Sequence, residues 1–291
     1  GGLTSTIPRL YKIAQVYKNK NPDIVTIAGG QHFCAETIPE ALSSGIDYVA
    51  VGEGEATVKD LLRALQNQKD VGTVKGIAYL KGAEVVYTPP RIPVTDFEEL
   101  PLPDFSLVRY AKIKIYPVER IRGCGMNCEF CTVKGRPRCA LPERLLEQIS
   151  HIVETQDARH FFIVDDLFGQ ERTETLRFCR MLKDYQLRIG RRLDFVAQIR
   201  LDKGRDTELL MAMREAGVNM VAIGYESPIA EELNAMRKKI NPEEMILLTK
   251  FFLRQGFLVH GMFIFGYPLE QGVTFHMSEK KFRQQDHLFR I

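Results

Sequence analysis

The sequence predicts an α/β protein in two parts. Short apolar runs rich in Val, Ile and Phe recur along the chain, and most of them end in glycine or in a charged pair. Amphipathic helix patterns fill the intervals, and regular βα alternation implies parallel strands with right-handed crossovers. Pro89, Pro90, Pro93, Pro101 and Pro103 interrupt that rhythm and mark an extended connector. The expected organisation is a partial α/β domain at 1–88, a proline-rich linker at 89–117 and a second α/β domain at 118–291.

In the first domain, Ile7 to Lys18 carries an amphipathic helix pattern, and Asp23 to Ala28 reads as a short buried strand ending in Gly29-Gly30. A second helix leads through Ser44-Gly45 to a strand at Tyr48–Val51, which ends in Gly52-Glu53-Gly54-Glu55. Ala56 to Gln66 resumes helical spacing. Gly76–Leu80 and Glu84–Tyr87, separated by Lys81-Gly82-Ala83, predict a small hairpin. Strand, glycine turn, helix is the arrangement that gathers ligands at strand C-termini in open parallel sheets.

In the second domain the expected strands are Val118–Ile121, Phe161–Val164, Phe195–Ile199, Met220–Ile223 and Val259–Phe265. Between the first two, Leu141, Leu145, Leu146, Ile149, Ile152 and Val153 fall on one helical face. The helix before the last strand has Asn241 as N-cap, Pro242 in the first turn, Glu244 three residues after the cap and Gly256 as its stop.

The composition is that of an ordinary globular protein, with 45% hydrophobic and 26% charged residues. A net charge of +3 is too small to argue for nucleic acid or an anionic membrane, and no basic-aromatic cluster suggests RNA. No apolar run is long enough to span a bilayer, so a cytoplasmic location is expected. There is no initiator methionine, Gly1 to Thr6 reads like the exit of a strand, and the chain stops inside a polar, helix-like stretch. A fragment of a longer protein is therefore expected.

Three of the six cysteines stand out: Cys124, Cys128 and Cys131, spaced C-x3-C-x2-C, with Gly123 and Gly125 around the first. Glycine permits the tight backbone path that three convergent thiolates need. Three thiolates leave one iron of a 4Fe–4S cluster open to another ligand, and an open metal position marks chemistry rather than structure. The alternatives are a disulfide set or a zinc site. No secretory signal favours the first, and Cys139, eight residues past Cys131, does not have a usual zinc interval for the second. Cys179 shares a helical face with Leu176 and Leu182 and reads as core; Cys34 and Cys139 are also expected to be structural.

The cysteine loop resembles the cluster-binding loop of the radical S-adenosylmethionine (SAM) superfamily. That resemblance implies a partial (βα)6-type barrel, of which five units are visible and the sixth would follow the C-terminus. It implies a 4Fe–4S cluster on Cys124, Cys128 and Cys131, with SAM held by its amino and carboxylate groups on the open iron. Phe130 would lie against the adenine, Asp165 or Asp166 would receive the SAM ammonium, and Arg200 would pair with its carboxylate. Glu226 or Ser227 would bond the ribose, Gln198 ends the third strand beside Arg200, and Gly261 to Gly266 resembles the last adenine-supporting strand. Paired aspartates after a strand are also common helix N-caps, and Gly224 and Gly266 also suit plain turns.

Gly29, Gly30 and His32 after one strand, and Gly52, Glu53 and Gly54 after the next, resemble the second half of the cobalamin-binding domain that precedes the barrel in one radical SAM subclass. Cobalamin is then a further cofactor, a methyltransferase is the first expectation, and ring-forming or rearrangement chemistry follows it. Partners implied are a small-molecule or peptide substrate and an electron donor such as flavodoxin or ferredoxin. The rivals are a methylthiotransferase, which would need more N-terminal cysteines than Cys34, and a non-catalytic protein with a structural cluster. No catalytic residue for hydrogen transfer is identified.

Overall fold

The computed structural model describes residues 4–133, 135–269 and 283. It divides into two compact units, residues 1–95 and 96–291, so the boundary falls inside the stretch 89–117 expected to be a connector.

The first unit is a four-stranded sheet with helices packed on it. In chain order its elements are α1 (Ile7–Lys20), β1 (Ile27–Gly29), α2 (Ile38–Ser43), β2 (Tyr48–Ala50), α3 (Glu55–Gln66), β3 (Ile77–Lys81) and β4 (Glu84–Tyr87). The strands lie in the order β1-β2-β3-β4, with β1 and β2 parallel and the β3–β4 hairpin antiparallel. The periodicity predicted for α1 buries Ile7, Tyr11 and Ala14 against Val49, Ala28 and Ala41, which are themselves almost fully buried. β1 is shorter than expected. Asp47 accepts hydrogen bonds from the Thr26 amide (2.7 Å) and hydroxyl (2.9 Å), so this carboxylate satisfies the amide just before Ile27, while the Thr26 carbonyl accepts the Tyr48 amide of β2.

The second unit contains β5 (Tyr116–Val118), β6 (Ile121–Arg122), β7 (Arg138–Cys139), α4 (Pro142–Gln156), β8 (His160–Ile163), α5 (Arg172–Arg188), β9 (Asp194–Gln198), α6 (Thr207–Glu215), β10 (Val218–Glu226), α7 (Ala230–Ala235), α8 (Pro242–Arg254) and β11 (Leu258–Phe263). Five of these strands form one all-parallel sheet in the order β11-β10-β9-β8-β5. Its apolar layer runs through Phe161, Phe195, Val221 and Ile223, each fully buried, with Phe161 stacked on Phe195 at 5.1 Å. Such all-round burial explains why these strands read as near-continuous apolar runs. On α4, Leu145, Ile149 and Ile152 are fully buried, as their spacing predicts. Leu141 departs from that face: it is 56% exposed, at the N-cap position before Pro142. Before α8, Asn241 accepts a hydrogen bond from the Glu243 amide at 3.0 Å, and Gly256 beyond the helix takes φ +82°.

The first strand of the second unit departs from expectation. Instead of running from Val118 to Ile121, it leaves the sheet after Val118, and Ile121–Arg122 pairs antiparallel with Arg138–Cys139. This two-stranded ribbon closes the base of the cysteine loop. Its backbone is satisfied from elsewhere: the Ala140 amide donates to the Arg120 carbonyl at 2.8 Å, and Asp165 takes the Arg120 and Ile121 amides. The expectations for Gly1–Leu3 and for the helix-like C-terminal stretch lie outside the described residues.

Candidate metal centre and cofactor cavity

A cavity of about 160 Å³ opens at the C-terminal ends of the parallel strands in the second unit. Cys124, Cys128 and Cys131 line it, together with Phe130 between the last two. From the end of β8 come Asp166 and Leu167, from β9 Gln198 with Arg200 just beyond, and from β10 Gly224 and Glu226. Strand ends in parallel sheets expose unpaired backbone and abrupt turns, so chain segments far apart in sequence converge there.

The cysteine loop owes its path to glycine. Gly123 and Gly125 have φ of +85° and +70°, a region costly to residues with a Cβ. A Cβ on Gly123 would also lie 2.9 Å from the Arg136 carbonyl oxygen. None of the six cysteines is in a disulfide. Burial pushes the Cys128 thiol up; Cys131, Cys124 and Glu226 add to that and Lys238 opposes it, so the three thiols lie within electrostatic reach of one another.

The donor set suits a cluster rather than a lone ion. Among the described residues no three His, Cys, Asp or Glu side chains are grouped tightly enough to hold one metal ion. A four-iron cube takes each thiolate at a separate corner, and the three cysteines of one loop line a single cavity. A closed zinc site would need a fourth ligand. Cys139 is occupied elsewhere: it pairs in β7, and burial, then the neighbouring Glu171, hold its thiol up to about 12. Cys179 is 1% exposed in the core, with its thiol pushed up by burial to about 12; Cys34 is exposed.

The two aspartates after β8 have different surroundings. Asp165 is 1% exposed, and its Oδ1 accepts hydrogen bonds from the Arg120 amide (2.6 Å) and the Ile121 amide (2.9 Å). Burial pushes its carboxyl up to about 7, against the pull of those amides and of the Arg120 charge. Asp166 is at the cavity wall, and its Oδ2 accepts from the Gly123 amide at 2.6 Å. Neither caps α5, whose N-cap position is Glu171. Asp165 is not among the residues lining the cavity.

Around the rest of the wall, Arg200 donates from Nε to Asp202 (2.9 Å) and lies with Nη1 2.9 Å from the Met126 sulfur. Glu226, 8% exposed and with φ +63°, pairs through Oε1 with Lys238 Nζ at 2.9 Å. A Cβ on Gly224 would lie 2.4 Å from that Glu226 oxygen, so the carboxylate end would have to shift. Gly261 in β11 plays a similar part, since a Cβ there would come within 3.2 Å of Tyr225 and Phe263, whose rings stack at 5.4 Å. Ser227 is fully buried, its hydroxyl accepting the Ile229 amide at 3.1 Å, and neither it nor Gly266 lines the cavity. Met126, Lys238 and Met262 do line it, although nothing in their sequence context set them apart from surface charge or core.

In the first unit, the parallel register Ile27↔Tyr48 to Gly29↔Ala50 puts the two glycine turns side by side at one sheet end. Gly30 and Gly52 have φ of +119° and +84°. A Cβ on Gly29 would touch the Ala50 Cβ at 3.4 Å. His32 packs edge-on against Phe33 at 5.3 Å, and its carbonyl accepts the Thr37 hydroxyl at 2.7 Å. Gly54 stands at the N-cap position of α3, and Glu53 Oε2 accepts the Val94 amide at 2.5 Å.

Comparison with known proteins agrees with both halves of this description. Residues 118–276 match the radical SAM superfamily model, and residues 2–62 match the B12 binding domain model. An uncharacterized methyltransferase of Pyrococcus horikoshii is 29% identical over 283 residues, covering 92% of this chain and 60% of that protein. The anaerobic magnesium-protoporphyrin IX monomethyl ester cyclase of Rubrivivax gelatinosus is 28% identical over 304 residues, covering 97% of this chain and 53% of that protein. The chain thus spans 53–60% of the length of these two curated relatives. Among solved structures, the radical SAM methyltransferase TsrM of Kitasatospora setae superposes with a TM-score of 0.78 at 17% identity, over 98% of this chain and 57% of that one. The cobalamin-dependent SAM radical enzyme OxsB gives 0.74 at 20% identity, over 99% and 42%. Three thiols on a glycine-shaped loop at the open ends of a parallel sheet are what that match predicts, and this chain belongs to the radical SAM superfamily, with a segment that matches the B12 binding domain model ahead of the radical SAM match.

Proposed function

We propose that this chain is the catalytic part of a cobalamin-dependent radical SAM enzyme, with methyl transfer as the first reading of its reaction. The observation that carries the proposal is the shared cavity, in which three thiols meet polar side chains from the ends of β8, β9 and β10. When bound, the 4Fe–4S cluster would supply one electron for reductive cleavage of SAM, and cobalamin would supply methyl-carrying chemistry.

The protein's own residues would bind and orient. Cys124, Cys128 and Cys131 would hold the cluster through their three thiolates. Asp166, the aspartate at the cavity wall, receives the SAM ammonium. Arg200, a rigid two-pronged donor, receives the carboxylate. Phe130, 36% exposed, offers its ring to the adenine, while Glu226 accepts from the ribose. Ser227 and Asp165, away from the cavity wall, are better suited to supporting these groups than to touching SAM. In the first unit, Gly29, Gly30, Gly52 and Gly54 leave room for the nucleotide tail of cobalamin to approach backbone, and His32 and Glu53 flank it.

A ring-forming reaction is the second reading, supported by the cyclase relative, which aligns with 97% of this chain. In either case the substrate is a small molecule or peptide, and the electron comes from a flavodoxin- or ferredoxin-type donor. No helix among the described residues is long and apolar enough to cross a membrane. The test is anaerobic reconstitution with iron and sulfide, followed by reductant and SAM. Formation of 5′-deoxyadenosine that depends on Cys128 is expected; its absence from a fully loaded protein would contradict the proposal.

A further inference from the structure

Three backbone amides at the root of the cysteine loop end on two adjacent carboxylates. Arg120 and Ile121 donate to Asp165 Oδ1 at 2.6 and 2.9 Å, and Gly123 donates to Asp166 Oδ2 at 2.6 Å. Of the donors, Arg120 lies between β5 and the ribbon, where the chain has left the parallel sheet, Ile121 opens the ribbon strand β6 and Gly123 follows it. The acceptors follow β8, whose backbone is fixed by β5 and β9 on its two sides. A second tie comes from the Arg120 side chain, 1% exposed, whose Nη1 donates to the Ala140 carbonyl (2.9 Å) and to Glu171 (3.0 Å).

From this geometry we infer that Asp165 and Asp166 form a clasp that fixes the cysteine loop to the end of β8. They are positioning residues, and Asp165 acts only in that way. The inference rests on the cluster reading for its purpose but not for its existence, because the clasp is a property of the metal-free chain. A buried amide that loses its acceptor pays its full desolvation cost. Asp166 carries a second duty at the cavity wall, whereas Asp165 is sealed away from it.

The experiment is residue-resolved amide hydrogen exchange on the metal-free chain, comparing D165A, D165N, D166A and D166N with the parent. Alanine should speed exchange at Arg120 and Ile121 (D165A) or at Gly123 (D166A) by about 5- to 150-fold, the equivalent of leaving one buried amide without its acceptor. Asparagine keeps an acceptor oxygen and should restore most of the protection. In loaded protein, D165A should also release iron to a chelator faster, and D165N should not. D166N should keep Gly123 protected even where it weakens SAM binding, so failure of the SAM assignment and failure of the clasp give different results. Unchanged exchange at these amides in the alanine variants would overturn the inference, as would equal loss of protection throughout β8 and β9. Should D165A fail to fold, D166A carries the same test, since its carboxylate lies at the cavity wall.

Discussion

The two sheets of this protein present their C-terminal ends in different ways. In the second unit, the ends of β8, β9 and β10 deliver side chains with distinct chemistry into one cavity: a carboxylate, an amide, a guanidinium and a glutamate that pairs with Lys238, with three thiols in the same cavity. In the first unit, the ends of β1 and β2 deliver mainly glycine, with positive φ at Gly30 and Gly52. A site that performs chemistry needs particular functional groups, so it leaves particular residues in the sequence. A site that only makes room for a large ligand needs small residues and backbone, which many turns share. The contrast teaches why the cluster loop identifies itself and the cobalamin segment needs its neighbour to be read.

The comparison breaks most readily at the cysteines. Cys124→Ala, Cys128→Ala or Cys131→Ala should each abolish SAM cleavage and most iron binding, while Cys34→Ala, at an exposed thiol, leaves both intact. Iron and sulfide analysis with a 5′-deoxyadenosine assay reads both. Cobalamin binding, measured by absorbance, should survive every one of these changes if the two sheet ends hold separate cofactors.

Within the second unit, D166N should weaken SAM binding by roughly 10- to 150-fold, the loss of one charge-assisted hydrogen bond, with iron content unchanged. Equilibrium titration of the loaded protein would show it. Normal SAM affinity in D166N would leave Asp166 as a clasp alone.

In the first unit the reciprocal change is Gly52→Val. At φ +84° a branched residue costs on the order of 1–2 kcal/mol of backbone strain, and the added side chain occupies space now open beside the turn. Cobalamin affinity should fall while iron content and SAM binding stay at the parent level. Loss of the cluster in this variant would show that the two sites are not independent.

A finer test is a slope. Burial raises the Asp165 carboxyl from 3.8 to about 7 in the fold, so between those pH values the native state holds a proton that the unfolded chain has lost. Asp165 therefore makes stability fall as pH rises through that window, and the contribution is constant outside it. Urea titrations of the metal-free protein across that range should show a shallower decline in D165N.

Much of this was readable in advance. The all-parallel strands of the second unit announced themselves through burial on both faces, and α8 through Asn241, Pro242 and Gly256. The cysteines, Asp166, Gln198, Arg200 and Glu226 could be expected at strand ends because parallel sheets gather ligands there. What could not be read depends on contacts distant in sequence. The break after Val118 is set by a carboxylate 45 residues from Arg120, and no local pattern distinguishes that from a continuing strand. Lys238 lines the cavity and pairs there with Glu226, 12 residues away on another element. Asp165 and Asp166 looked alike as a pair, and their separate surroundings follow from alternation at a strand end, where one side chain turns inward and the next toward the opening.

The most direct measurement of the central claim is electron paramagnetic resonance of the anaerobically reconstituted, reduced chain, recorded with and without SAM. A cluster held by Cys124, Cys128 and Cys131 has an open iron, so SAM should shift the reduced-cluster signal, and the shift should vanish with the signal itself in Cys128→Ala. A fully loaded cluster whose signal is identical with and without SAM would contradict the account.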